Sequence, residues 1–128
     1  MRTRFMVGVI WSAFCLLAGA AAYAQPACPS PTITSAADVP CNVTICYLSN
    51  DADTREIECV TIEPGTRQAH QAPEGSTGIG VDTPKGPVVI PPGGCVKNIQ
   101  VARGCCVDVC FDLWKCELQI TKSAGPCP

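Results

Sequence analysis

The chain has 128 residues, a hydrophobic fraction of 47% and a formal net charge of −2. Nine Lys and Arg against eleven Asp and Glu leave no basic excess of the kind that nucleic acids and anionic membranes bind. Twelve prolines and eleven glycines disfavour long helices. We therefore expect one small all-β domain with neither of those partners.

The N-terminus has the pattern of a secretion signal. Two arginines precede an apolar run from about Phe5 to Ala18, and Ala22-Tyr23-Ala24 supplies the small residues that signal peptidase recognises. The apolar run is shorter than the roughly 20 residues that cross a bilayer, which disfavours a membrane anchor. We predict a signal peptide over 1–24 and a single secreted or periplasmic domain over 25–128. No membrane insertion is expected after cleavage.

Cysteines are the most informative residues of the predicted mature domain. Cys15 lies in the signal, and the even set of ten that remains indicates a disulfide framework in an oxidising compartment rather than a zinc site. Adjacent cysteines on a strand face opposite ways, so Cys105 and Cys106 are expected to bridge to different partners. The sequence leaves the connectivity open. The candidates are Cys28, Cys41, Cys46, Cys59, Cys95, Cys105, Cys106, Cys110, Cys116 and Cys127.

Two segments with matching alternation predict half-buried strands. Residues 41–47 place Cys41, Val43, Ile45 and Tyr47 on one face, and residues 105–111 place Cys105, Val107, Val109 and Phe111 on one face. Both segments read C-x-V-x-[IV]-C-[YF]. Either the chain contains an internal duplication, or two core strands of one cysteine-rich domain have similar surroundings.

Further strands are predicted at 58–63, 78–82, 87–90, 96–102 and 117–121, with Pro-Gly turns between some of them. A strand, the turn Pro91-Pro92-Gly93-Gly94 and another strand resemble the edge of a secreted immunoglobulin-like sandwich. The expected fold is a small disulfide-rich antiparallel β-sandwich, immunoglobulin-like in broad architecture, with about six to eight short strands.

The segment 64–87 lacks sustained apolar periodicity and is predicted as a flexible loop, either functional or disordered. If it is a binding loop, Arg67, His70 and Lys85 are its candidate contact residues. The seven basic residues that follow the signal are scattered singly along the sequence, which is typical of ordinary solvated surface.

No catalytic, cofactor or metal constellation stands out. His70 is the only histidine, and Ser76 and Asp82, which would complete a hydrolytic triad, lie in the same predicted loop. The glycine-rich stretch 75–80 lacks the Lys-Ser/Thr ending of a phosphate loop. Residues 50–53 have carboxylates at alternate positions but lack the downstream Gly and Glu of a calcium loop, so we predict a hairpin turn there.

We therefore expect a secreted non-enzymatic β domain without cofactors that binds or assembles with an unknown protein or glycan partner. The alternative is a small disulfide-rich inhibitor or effector that presents the 64–87 loop to a target enzyme, with Arg67 or Lys85 entering a trypsin-like pocket. A secreted hydrolase is the third hypothesis.

Overall fold

The computed structural model describes residues 28–50 and 54–128. The predicted signal peptide and most of the predicted 50–53 turn lie outside these residues. The described chain forms nine strands, which are β1 (Thr32–Ser35), β2 (Val43–Asn50), β3 (Thr54–Ile62), β4 (Arg67–Ala69), β5 (Gly78–Val81), β6 (Val88–Val89), β7 (Cys95–Ala102), β8 (Cys105–Asp112) and β9 (Glu117–Lys122).

The strands form two sheets. The five-stranded sheet has the order β4-β1-β9-β8-β7, and the four-stranded sheet has the order β3-β2-β5-β6. The all-β prediction is confirmed, with two differences in detail. There are nine strands rather than six to eight, and β1 pairs with β9 in parallel, whereas every other neighbouring pair is antiparallel.

The core contains residues from both sheets. Cys46, which the alternation places on the other face of β2, is also buried, so the prediction of half-buried strands is confirmed only for their inner faces. The apolar residues on the predicted inner faces of β2 and β8 are almost wholly buried and belong to one hydrophobic cluster. They are Val43, Ile45, Tyr47, Val107, Val109 and Phe111. Burial of these side chains is the main stabilising contribution that the sequence pattern encodes. Within the described residues, no helix is long and apolar enough to cross a membrane.

Five disulfides join the ten cysteines in pairs. They are Cys28–Cys116, Cys41–Cys105, Cys46–Cys59, Cys95–Cys110 and Cys106–Cys127. Cys105 and Cys106 bridge to different partners, as their opposite facing on β8 predicts. This number of disulfides indicates an oxidising environment.

Two of the disulfides each join directly opposed residues on two neighbouring antiparallel strands. Cys46 faces Cys59 across β2 and β3, and Cys95 faces Cys110 across β7 and β8. We call these two bridges the hairpin disulfides. The Cys41–Cys105 bridge, which we call the inter-sheet disulfide, joins the residues just before β2 to the start of β8.

The two matching segments form strands at similar positions in their sheets, but their disulfides run to different kinds of neighbour. β2 and β8 are each paired on both sides within their own sheets. However, the hairpin disulfide of Cys46 runs to the strand that follows β2, whereas that of Cys110 runs to the strand that precedes β8. This difference favours similar surroundings over an internal duplication as the reason for the sequence match.

Candidate binding groove between the two sheet edges

An open groove of about 610 Å³ lies between edge strands of the two sheets. Its walls come from the turn before β6 on one side and from β7 on the other. β6 ends the four-stranded sheet and β7 ends the five-stranded sheet, so each strand has a neighbour on one side only. The groove is thus bounded by one edge strand from each sheet.

The turn at residues 83–86 positions Lys85 on the rim. The backbone N–H of Gly86 donates to Thr83 O at 2.9 Å, and the Thr83 hydroxyl donates to Gly86 O at 2.7 Å. Gly86 has a φ of 110°, which residues with a Cβ rarely adopt. The Lys85 N–H donates to Thr83 Oγ1 at 3.1 Å, so the backbone that carries its side chain is held in place.

On the opposite wall, a bulge in β7 turns Lys97 and Asn98 out of the ladder. The pairing with β8 shifts between Val96 and Ile99, and Asn98 has a φ of 58°. The Asn98 N–H donates to Asp108 Oδ1 at 2.8 Å, which replaces the missing ladder bond. A bulge of this kind re-aims side chains at a sheet edge.

Side chains outside β8 also hold the bulge and the rest of β7 in place. The Ser123 hydroxyl donates to Asn98 Oδ1 at 2.9 Å, and Ser123 is itself buried. The side-chain amide of Gln100 donates to Pro128 O at 2.9 Å, which brings the last residue to the groove wall. The disulfide Cys106–Cys127 fixes the same segment.

The groove is basic although the chain is acidic. Lys85, Lys97 and Arg103 all line it, and none of the described lining residues is Asp or Glu. The carboxylate of Asp108 lies 3.9 Å from Lys97 Nζ. Lys97 is 71% exposed, so this pair is weak and leaves the ammonium group accessible. These three basic residues, which are scattered in the sequence, are exposed as expected and line one groove.

Between the charges the lining is apolar. Val88 comes from β6, and Val96, Ile99 and Ala102 come from β7. Ile99 is buried in the core cluster, whereas the other three are partly buried and pack against it. The groove therefore combines an apolar floor with a cationic rim.

The structure separates the three residues predicted for a binding loop. Lys85 lies at the groove, but Arg67 and His70 lie on or just after β4, the opposite edge of the five-stranded sheet from β7. With strands about 4.8 Å apart, four strand spacings place β4 roughly 19 Å from β7. The three residues do not form one site.

The predicted loop itself is partly regular. Residues 67–69 form β4, which pairs with β1, and residues 78–81 form β5, which pairs with β2. The irregular parts are residues 64–66, 70–77 and 82–87. The strand signal at 78–82 was visible in the sequence, whereas Arg67-Gln68-Ala69 carries no alternation that could reveal a strand.

The residues considered for a hydrolytic triad have other partners. His70 Nε2 lies 3.0 Å from Gln68 Oε1, and the Ser76 hydroxyl donates to Pro73 O. The carboxyl group of Asp82 lies near that of Glu56. Partial desolvation, followed by the interaction with Asp82, raises the pKa of Glu56.

One cluster has the ligand types of a metal site. Atoms of Cys46, Glu56 and Cys59 lie within 4.8 Å of one another. The two sulfurs are bonded to each other in a hairpin disulfide, so neither offers the thiolate that a metal requires. The cluster is accounted for by the disulfide.

Comparison of the chain with protein-family models, with curated proteins and with solved structures found no match.

Proposed function

We propose that this protein is an exported, non-enzymatic binding domain that holds an acidic segment of a protein partner in the groove between β6 and β7. The observation that carries this proposal is the convergence of Lys85, Lys97 and Arg103 on one groove, whose described lining includes no Asp or Glu side chain. The five disulfides support export, because such bridges persist in oxidising compartments.

The proposed recognition uses charge and apolar contact together. Exposed ion pairs contribute only about 0.2–1 kcal/mol each, so three cations alone give weak binding. Apolar side chains of the partner would add to this by covering Val88, Val96 and Ile99 on the groove floor. The cationic rim would also steer an acidic segment toward the groove, because a local positive field raises association rates.

The walls are suited to binding because they are held before the partner arrives. A hairpin disulfide ties β7 to β8, and Asn98 is fixed by Asp108 and Ser123. A groove whose backbone is already ordered loses less conformational entropy on binding than a mobile loop does.

A charge-reversal pair tests the proposal. The double variant Lys85→Glu/Arg103→Glu changes one lysine and one arginine in the groove. The matched control Arg55→Glu/Lys122→Glu makes the same chemical changes at exposed positions outside it. The probe is a fluorescein-labelled peptide of alternating Asp and Val residues, and the readout is fluorescence anisotropy.

We expect the groove variant to bind the peptide about 30-fold more weakly, which corresponds to about 2 kcal/mol, while the control stays within threefold of the parent. Binding by the parent should weaken as salt is raised. Equal loss in both double variants would assign the effect to net charge and contradict the groove. Absence of peptide binding by the parent would contradict the partner class.

The inhibitor alternative keeps one supporting observation, the exposed Lys85 on its tight turn. Arg67 no longer supports it, because this residue lies in a paired strand rather than at a loop tip. Inhibition of trypsin by the parent, abolished by Lys85→Ala, would favour this function over a groove for acidic segments. Cleavage after Lys85 without inhibition would remove it.

A further inference from the structure

The single tryptophan of the described chain is almost wholly in water. Trp114 is 99% exposed in the turn at residues 113–116, between β8 and β9. Its side chain borders a shallow hollow of about 360 Å³ that includes Cys95, Cys110 and Gln119. These three are register partners on adjacent strands of the five-stranded sheet and alternate with the buried core residues, so the hollow faces away from the core.

The turn holds the tryptophan backbone firmly. Asp112 Oδ1 accepts the N–H groups of Trp114 at 2.9 Å and Lys115 at 3.2 Å. The N–H of Cys116 donates to Leu113 O at 3.4 Å, and Cys116 is bonded to Cys28. The exposed indole is therefore carried by a fixed turn rather than by a mobile loop.

The hollow beside the indole has a mixed lining, in which Phe111 and Leu113 are apolar and Asp112 and Gln119 are polar. The other large apolar side chains exposed in the described residues are Ile57 and Val89, which belong to β3 and β6 of the other sheet. Trp114 is thus not part of a wider apolar patch. A protein partner commonly covers a continuous surface with an apolar centre, and that centre is missing here.

The polar groups beside the indole are arranged on the flat face of the sheet. Gln119 Nε2 donates to Glu117 Oε1 at 3.2 Å, and Thr34 Oγ1 donates to Glu117 Oε2 at 3.2 Å. Asp112 pairs with Glu117 across β8 and β9. Asp112 is the only charged residue among the described residues that line the hollow, and its carboxylate disfavours an anion there.

We propose that Trp114, Asp112 and Gln119 form a binding site for a pyranose ring of a neutral glycan. A pyranose has C–H groups on one face, which pack on an aromatic ring, and hydroxyls around its edge. The Asp112 carboxylate accepts a hydrogen bond from a hydroxyl, and the Gln119 amide both donates and accepts. The hairpin disulfide Cys95–Cys110 forms part of the floor. This site shares no lining residue with the groove, and it does not depend on the proposed function.

Intrinsic fluorescence gives a direct test, because the full chain contains only Trp11 and Trp114. The gene carries Trp11→Phe, so that Trp114 is the only tryptophan of the purified protein with or without its signal peptide. This protein is titrated with hexasaccharides of β-1,4-linked glucose and of β-1,4-linked N-acetylglucosamine. We expect a saturable change and a blue shift of the emission with at least one of them. An oligogalacturonate of the same length, which is anionic, should bind at least tenfold more weakly.

Calorimetry on substituted chains then assigns the contacts. Trp114→Ala should weaken binding at least tenfold, Trp114→Phe should restore part of it, and Gln119→Ala should weaken it several-fold. Val89→Ala, which shortens an exposed apolar residue elsewhere, should leave affinity unchanged.

The proposal is overturned if neither neutral hexasaccharide binds or if Trp114→Ala binds as tightly as the parent. It is also overturned if the exposed indole proves to be a protein contact, that is, if Trp114→Ala abolishes capture of a protein and affects no glycan. Since Trp114 is solvent-exposed, its replacement should leave the circular dichroism spectrum and the unfolding midpoint unchanged.

Discussion

The inter-sheet disulfide and the Cys28–Cys116 bridge are predicted to be energetically coupled. Cys28 lies 13 positions before Cys41, and Cys105 lies 11 positions before Cys116, so together the two bridges close a ring of about 24 residues in the unfolded chain. A disulfide stabilises by lowering the conformational entropy of the unfolded chain, and the effect grows with the loop it closes. Each bridge therefore shortens the loop that the other bridge closes in the unfolded chain.

The coupling can be given a magnitude. With the other bridge present, either one closes the ring of about 24 residues and contributes about 3.5 kcal/mol. Without the inter-sheet disulfide, the Cys28–Cys116 bridge closes a separation of 88 residues, shortened to about 60 by the two hairpin disulfides, and contributes about 4.3 kcal/mol. Removing both bridges should therefore cost about 0.8 kcal/mol more than the sum of the single removals.

The assay is a double-mutant cycle of Cys→Ala pairs, followed by urea unfolding without reductant. The cavity left by each buried cysteine is the same in both backgrounds, so the cycle cancels it. If the doubly unbridged chain is unfolded in water, sodium sulfate is added equally to all four proteins. A coupling of zero, or one of opposite sign, would refute the loop argument.

Three further predictions concern single residues of the four-stranded sheet. Tyr47→Phe should raise the free energy of unfolding by about 1 kcal/mol, because the buried Tyr47 hydroxyl has no hydrogen-bond partner, and denaturant unfolding measures the change. Burial raises the pKa of Tyr47 from 10.0 to about 12. Because the unfolded chain loses the phenol proton at lower pH than the folded chain does, the free energy of unfolding of the parent should fall as the pH rises from 10 to 12. The Tyr47→Phe variant should not show this fall. Gly80→Ala should lower the free energy of unfolding by about 1–3 kcal/mol, because the new Cβ would lie 2.9 Å from Leu48 Cδ1 and 2.9 Å from Val88 O. Gly78→Ala is the control: its Cβ would meet no atom within 4 Å, and its unfolding midpoint should not move.

The central strands could be predicted from sequence because their signal is local. Apolar residues occupy every second position in 41–47 and 105–111, and these residues on β2 and β8 pack in the core. β1 and β4 could not be found in this way. Each is four residues or fewer, and their hydrogen bonds join them to each other and to the distant β9.

The groove could not be predicted because its residues are joined only by the fold. Lys85 and Arg103 lie 18 positions apart in the chain and meet because β6 and β7 are edge strands at the same side of the sandwich. Asn98 gave no signal for the bulge, since its positive φ follows from partners on β8 and near the C-terminal end. Arg67 and His70 were grouped with Lys85 by proximity in sequence, which strand pairing overrides.

Photocrosslinking in the producing cell tests the central claim, that the groove holds a protein partner. A benzoylphenylalanine replaces Pro84, which is exposed on the groove wall, and in a second strain it replaces Ile57, which is exposed on β3 away from the groove. Adducts are identified by mass spectrometry. We predict one dominant adduct from position 84 whose crosslinked peptide is rich in Asp and Glu, and none of that mass from position 57. No adduct at position 84, or the same adducts from both positions, would contradict the account.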